Sequence, residues 1–221
     1  MPVWGRYLLG GLVALVVVGG PAAHYRSTYT TLKRFRVVTD GKFYRSGQLT
    51  AGGFRDVITR YGIKTVINLQ EENVDPFMPE VWLGKPSVRE SDLCQEYGVK
   101  YYALFGGEIV PPDQVAAGKR PEVIDQYLKI LDDPANYPVL LHCKAGLHRT
   151  GLMTAVYRRE YEQWDKGRAM DELRANGFGT YMASTGNVYV VQFVDNVTPG
   201  ERRPVTPAVP GKPTVANAGG R

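Results

Sequence analysis

A chain of 221 residues with 43% apolar content has room for one domain of ordinary size plus extensions, and enough apolar material to fill its core. Its formal charge of +5 is concentrated at one end, where Arg202, Arg203, Lys212 and Arg221 against Glu201 place +3 in residues 198–221; no basic stripe interleaved with aromatic residues occurs elsewhere, which argues against nucleic acid as a partner. Two cysteines, Cys94 and Cys143, are too few for a disulfide framework, and no Cys/His cluster has the spacing of a zinc site.

The chain opens on an uncharged, mostly apolar stretch, YLLGGLVALVVVGGPAA (residues 7–23), with Arg6 just before it. A bilayer-spanning helix needs about 17–25 such residues, so residues 1–23 are expected to form a single-pass membrane anchor. The segment has no polar face, which argues against a helix buried in a domain core. Arg26, Lys33, Arg34 and Arg36 follow it, a bias that places the rest of the chain in the cytoplasm. The alternative is a secretory signal, with GGPAA holding a small-residue cleavage site and the domain exported. Residues 24–35 read as a polar linker.

From residue 36 to 197, strand-like and helix-like segments alternate. FRVV and KFYRSG flank an Asp-Gly pair at 40–41, a hairpin signal. Phe54, Val57, Ile58 and Tyr61 recur at helical spacing, as do Val123, Ile124, Tyr127, Leu128 and Leu131. KTVINL (64–69), VKYYAL (99–104) and PVLLHC (138–143) are short apolar runs of the buried-strand type, and Cys94 is expected as a small core residue. EYEQWDKGRAMDELRANGFG (160–179) reads as a helix break followed by a scaffolding helix of alternating charge, with Trp164 as a packing residue. This alternation predicts an α/β domain on a mostly parallel sheet flanked by helices. After Thr198 the chain is rich in Pro and Gly, lacks hydrophobic periodicity and is expected to be a disordered tail, 198–221.

Ligands of such sheets bind beyond the carboxyl ends of the strands, and Cys143 stands at one of them. PVLLHC runs into KAGLH, and Arg149 opens an apolar-periodic helix with Leu152, Met153, Val156 and Tyr157. A strand–loop–helix turn of this kind aims backbone N–H groups and a helix N-terminus at one point, so that Lys144, Ala145, Gly146, Leu147, His148 and Thr150 form an anion cradle. Gly146 permits the tight curl. Arg149 returns a planar fork suited to two phosphate oxygens. These positive groups favour the thiolate as the reactive form of Cys143, and a thiolate beside a bound phosphoryl group is a nucleophile. Thr150 offers the sulfur a hydroxyl, His142 orients the loop, and Lys144 reaches solvent at the rim. His148 either contacts substrate or shapes the pocket. Arg45 either supports the loop from a neighbouring strand or sits in an exposed ion pair.

HCKAGLHRTG (142–151) resembles the signature loop of the cysteine-dependent protein tyrosine phosphatases, in particular the small dual-specificity type. FYRSGQLTAGGFRDVITRYGIKTVINLQEEN (43–73) resembles the opening strands of the atypical plant-and-fungal branch and its bacterial relatives. The resemblance covers residues 36–195. It implies a central sheet of four or five strands flanked by helices, catalysis without metal or cofactor, and a phosphocysteine intermediate. Some members of that branch act on inositol pyrophosphates, and plant and fungal members commonly carry Lys where this chain has Leu147.

Ester cleavage by a thiolate needs a proton for the leaving oxygen and then a base for water, and one carboxylic acid serves both steps. In similar phosphatases this Asp lies on a loop upstream of the cysteine strand. Asp113, 30 residues before Cys143 and just after Pro111-Pro112, is the expected acid. Glu108 and Glu122 compete, although Glu122 is expected to favour a helix N-terminus after Pro121. The expected function is hydrolysis of phosphate monoesters on phosphorylated proteins, by a monomeric domain without nucleic acid, touching the membrane through residues 7–23. The alternatives are an inositol phosphate or phosphoinositide phosphatase, a non-catalytic phosphate-binding module, and a rhodanese-like sulfur transferase. The Arg149-Thr150-Gly151 ending argues against the last.

Overall fold

The computed structural model describes residues 3–72, 88–104, 120–179, 190–205, 207–211 and 213–214. Val3–Tyr25 is one helix (α1), exposed along its length and long and apolar enough to cross a membrane. Helical turns continue to Thr31. A tight turn, closed by the Phe35 N–H donating to the Leu32 carbonyl at 2.7 Å, then feeds the sheet. The expected linker is therefore short and partly docked. A Cβ on Gly53 would lie 2.1 Å from the Thr31 carbonyl oxygen, so only glycine lets the two backbones approach there.

The sheet begins with the expected hairpin, β1 (Arg36–Thr39) antiparallel to β2 (Phe43–Ser46), turning through Gly41 at φ +68°. The parallel strands are β3 (Thr65–Asn68), β4 (Lys100–Leu104) and β5 (Val139–His142), with a two-residue edge strand β6 (Pro213–Thr214). Their order across the sheet is β1-β2-β5-β3-β4-β6. Only the β1–β2 pairing is antiparallel among the described ladders. This is the mostly parallel α/β sheet the alternating segments predict.

Each parallel connection returns through a helix and both sheet faces are covered, which is why β5 reads as an unbroken apolar run rather than an alternating one. Along each strand, successive side chains face opposite cores. Phe43, Ile67 and Leu141 pack with α4 (Glu122–Leu131), α5 (His148–Tyr161) and α6 (Lys166–Ala175). Tyr44, Val66 and Leu140 pack with α2 (Ala51–Tyr61) and α3 (Glu90–Glu96), where Cys94 is fully buried as a core residue. Helix ends follow local chemistry. Thr50 caps α2 by accepting the Gly53 N–H, and Gly62 ends it at φ +60°. Glu122 lies in the first turn of α4, after Pro121. Trp164, at the break before α6, packs against the guanidinium groups of Arg158 (4.3 Å) and Arg168 (3.7 Å).

The start of the Pro- and Gly-rich tail is held against the domain, a difference from what its composition predicts. Arg202 forks onto Asp132 at 2.7 and 2.8 Å and reaches Glu160 at 2.7 Å. The Gly200 N–H donates to Glu160, and buried Arg120 donates to the Glu201 carbonyl at 3.0 Å. Farther on, the Gly211 N–H donates to the Tyr101 carbonyl as the chain enters β6. Carboxylates presented by α4 and α5 fix a segment that has no apolar pattern of its own, and composition does not register such contacts.

Candidate active site

Strand β5 lies between β2 and β3 and delivers His142 and Cys143 to the carboxyl edge of the sheet. Cys143 is 5% exposed. The chain then curls through residues 143–147 into α5, whose N-cap is Leu147 with no side-chain cap. The first-turn N–H groups of α5 therefore face outward, as an anion site requires. Gly146 carries the curl at φ +71°, and its N–H donates to the Cys143 sulfur at 3.3 Å. A Cβ there would lie 2.5 Å from the Gly47 nitrogen, so β2's exit is packed directly against the loop.

Three consecutive loop carbonyls are tied from outside. The Gln48 N–H donates to Lys144 O at 3.2 Å, Arg34 Nη1 to Ala145 O at 3.0 Å, and Arg45 Nη2 to Gly146 O at 2.9 Å. Arg45 is 3% exposed, so of its two sequence readings the support role matches its position and the exposed ion pair is excluded. Burial, with Arg36 nearby, pushes its guanidinium down to about 10, which leaves it charged at neutral pH.

The other predicted residues take definite places. Arg149 is exposed at the start of α5, and its Nη1 donates to the Leu69 carbonyl at 2.8 Å. Leu69 in turn donates its N–H to His142 O at 2.9 Å, so the arginine is steadied by the strand beside the cysteine strand. Lys144 is exposed, as expected of a rim residue, while Ala145, Leu147 and His148 are half-buried. His148 lies edge-on to Phe178, with ring centroids 5.8 Å apart, and burial lowers its pKa from the ordinary value. Thr150 is fully buried, but its hydroxyl makes no hydrogen bond among the described residues, the expected one to the Cys143 sulfur included. Asp113 and Glu108 lie outside the described residues.

Sequence reasoning missed two neighbours. One is Arg34, assigned to the linker by its position. The other is Glu90, 4% exposed, which lies beside His142 at the end of β5. Its carboxylate accepts from Gln48 and from Asn68 (3.3 Å), and stands 3.1 Å from His142 Nε2 without hydrogen-bond alignment. Neither position carries a motif. Each meets the loop only through tertiary packing. Among the described residues no group of His, Cys, Asp and Glu is gathered that could hold a metal ion.

An uncapped helix N-terminus and a tightly curled loop beside a thiol make a candidate anion site. A model of the tyrosine phosphatase family matches residues 29–202. The chain is similar to the dual specificity protein phosphatase TpbA of Pseudomonas aeruginosa, 26% identical over 185 residues, which span 80% of this chain and 74% of that one. It is also similar to the inositol diphosphatase DSP3 of Arabidopsis thaliana, 31% identical over 142 residues, 64% of this chain and 61% of that one. Among solved structures, the core catalytic domain of the PP-IP phosphatase SIW14 from S. cerevisiae is 23% identical and aligns over 73% of this chain and 86% of that one with a TM-score of 0.52, a likeness of fold. With a Cys-x5-Arg loop at the end of a central parallel strand and a family match over most of its length, the chain belongs to the tyrosine phosphatase family and is a phosphatase of the cysteine-dependent type.

Proposed function

We propose that the chain hydrolyses phosphate monoesters on phosphorylated proteins, phosphotyrosine first, with Cys143 as nucleophile. The sulfur attacks phosphorus as thiolate, the P–O bond to the leaving group breaks, and a phosphocysteine forms. Arg149 and the amides of residues 144–149 hold the phosphoryl oxygens, whose charge grows in the transition state. Asp113 gives its proton to the leaving oxygen. It then takes one from the water that splits the phosphocysteine and releases phosphate. The observation that carries this reading is the Gly146 N–H directed at the Cys143 sulfur at 3.3 Å, within a loop that ends on an uncapped helix N-terminus.

Phosphate release from phosphotyrosine, phosphoserine and phosphothreonine peptides, phosphoinositides and soluble inositol phosphates tests it. Wild type turns over phosphotyrosine peptides fastest and Cys143→Ser turns over none; turnover that survives in Cys143→Ser overturns the assignment. Asp113→Ala slows esters with poor leaving groups by about 10²-fold or more while sparing activated aryl phosphates. Equal small effects on both substrates remove Asp113 from the mechanism and turn attention to Glu108.

The likeness to an inositol diphosphatase favours a second reading, with an inositol phosphate in the same cradle. Leu147 stands where plant and fungal members carry Lys, and the loss of that cation supports phosphotyrosine as the first choice. The apolar helix α1 supports a single-pass anchor with the domain on the cytoplasmic face. Reporter fusions to the C-terminus, together with the mass of the mature chain, test this. A chain shortened near residue 23 and a reporter active outside the cytoplasm favour export instead.

A further inference from the structure

The turn Leu32–Phe35 holds a residue in an unfavourable conformation. Arg34 has φ +51°, in the left-handed region that glycine and asparagine tolerate and a long side chain disfavours. Such a residue persists only where its surroundings impose it. The turn is fixed on both sides. The Lys33 carbonyl accepts the Gly47 N–H at 2.7 Å, and the Phe35 ring packs on Tyr44 and Tyr61 at 5.9 and 4.8 Å. Glycine would satisfy this backbone better, so the arginine side chain must supply something glycine lacks. It donates from Nη1 to the carbonyl of Ala145 at 3.0 Å.

That carbonyl belongs to the same peptide unit as the Gly146 N–H. A trans peptide is planar, with its C=O and N–H pointing in opposite directions. Whatever pulls the Ala145 oxygen outward therefore turns the Gly146 N–H inward, and inward is where the Cys143 sulfur accepts it at 3.3 Å. A cationic donor on the oxygen also polarises the amide and strengthens its N–H as a donor. The Gln48 N–H and the Arg45 guanidinium hold the flanking carbonyls, Lys144 O and Gly146 O.

We infer that Arg34 is a positioning residue of the phosphate loop, which acts by clamping the Ala145 carbonyl so that the Gly146 N–H faces the nucleophile. The inference rests on Cys143 and its loop being the reaction site. It separates stability from activity. Arg34→Gly relieves the strained backbone and releases the peptide, so its urea midpoint matches or exceeds that of wild type while kcat on a phosphotyrosine peptide falls about tenfold. Arg34→Asn, tolerated at positive φ but too short to reach Ala145, behaves the same way. Arg34→Lys, which keeps a cationic donor, recovers part of the loss. Inorganic phosphate inhibits the Gly and Asn variants more weakly, because the cradle amides are no longer held.

The measurements are kcat, KM, phosphate inhibition and urea midpoint on the full chain, with Cys143→Ser in parallel. Wild-type kcat in Arg34→Gly overturns the proposal. So does a loss of kcat in both the Gly and Asn variants that follows a loss of midpoint, since the role is then only structural. Activity retained in Cys143→Ser is a different failure, that of the reaction site itself.

Discussion

Replacing Gly146 by alanine tests the loop geometry most directly. The position has φ +71°, where an L-residue costs roughly 1–2 kcal/mol. An added Cβ would lie 2.5 Å from the Gly47 nitrogen, 2.7 Å from the Ser46 carbonyl carbon and 2.8 Å from its oxygen. All three atoms are backbone at the exit of β2, so no flexible side-chain end can yield, and overpacking of this kind costs about 1–3 kcal/mol. The sum, about 2–5 kcal/mol, corresponds to a melting temperature lower by roughly 4–20 °C for a chain of this size. Gly47→Ala is the control. Its Cβ would meet the Lys33 stem at 3.0 Å and the Ala145 carbonyl carbon at 3.1 Å, and the lysine stem can move. Thermal unfolding and turnover of an aryl phosphate are measured for both. Gly146→Ala is expected to lose stability as stated and at least about 10²-fold in kcat/KM, because displacing the loop misplaces every amide in it. A Gly146→Ala protein that melts and turns over like wild type would refute the described packing of the loop on β2.

Other consequences are open to measurement. Burial pushes the Cys94 thiol up, so at neutral pH iodoacetate labels Cys143 and spares Cys94, and inorganic phosphate slows the labelling; mass spectrometry of the modified peptides reads both effects. Burial holds the His148 imidazole below its ordinary value, so the unfolded chain takes up a proton that the folded one resists. Stability is intact above the unfolded value of about 6.5 and falls as pH drops through it, and His148→Gln should flatten the fall in urea midpoints. Glu90→Ala removes the acceptor of the buried Gln48 amide nitrogen, while Asn68 keeps its bond to Tyr101, and it should cost about 1–3 kcal/mol in urea unfolding and slow turnover. Arg202→Ala frees the tail segment at about 1 kcal/mol or less, since both Arg202 and Asp132 are partly exposed, and the loss should shrink as salt is added.

The parts of this molecule written in local sequence were legible. β3, β4 and β5 are buried on both faces and so appear as apolar runs; Asp40-Gly41 marks the hairpin; the Cys143–Arg149 spacing marks the loop. What escaped depends on distance along the chain. Arg34 meets Ala145 across 111 positions, and no periodicity reports such a contact; the support role of Arg45, by contrast, was one of two sequence readings, and its contact with Gly146 across 101 positions decides between them. Glu90 carries no signal in the sequence, because its partners Gln48, Asn68 and His142 come from β2's exit, β3 and β5. The Thr150 hydroxyl shows the reverse case. Its position in the motif suggested a bond to sulfur, yet the buried hydroxyl makes no hydrogen bond among the described residues. Residues 200–203 have the composition of an unstructured tail, yet Asp132 and Glu160 supply the order their own sequence lacks.

The position of β5 between β2 and β3 has a consequence for how the protein is made. Until residues 139–142 emerge during synthesis, the β1–β2 hairpin and the β3–β4 pair share no ladder, and each exposes an open edge. The strand that joins them leads directly into Cys143, the proposed nucleophile. Assembly must wait for that late, non-local insertion, which makes it slow by topology. A nascent chain halted before this strand exposes sticky edges and lacks Cys143, and the phosphate loop forms only when the two halves are locked together.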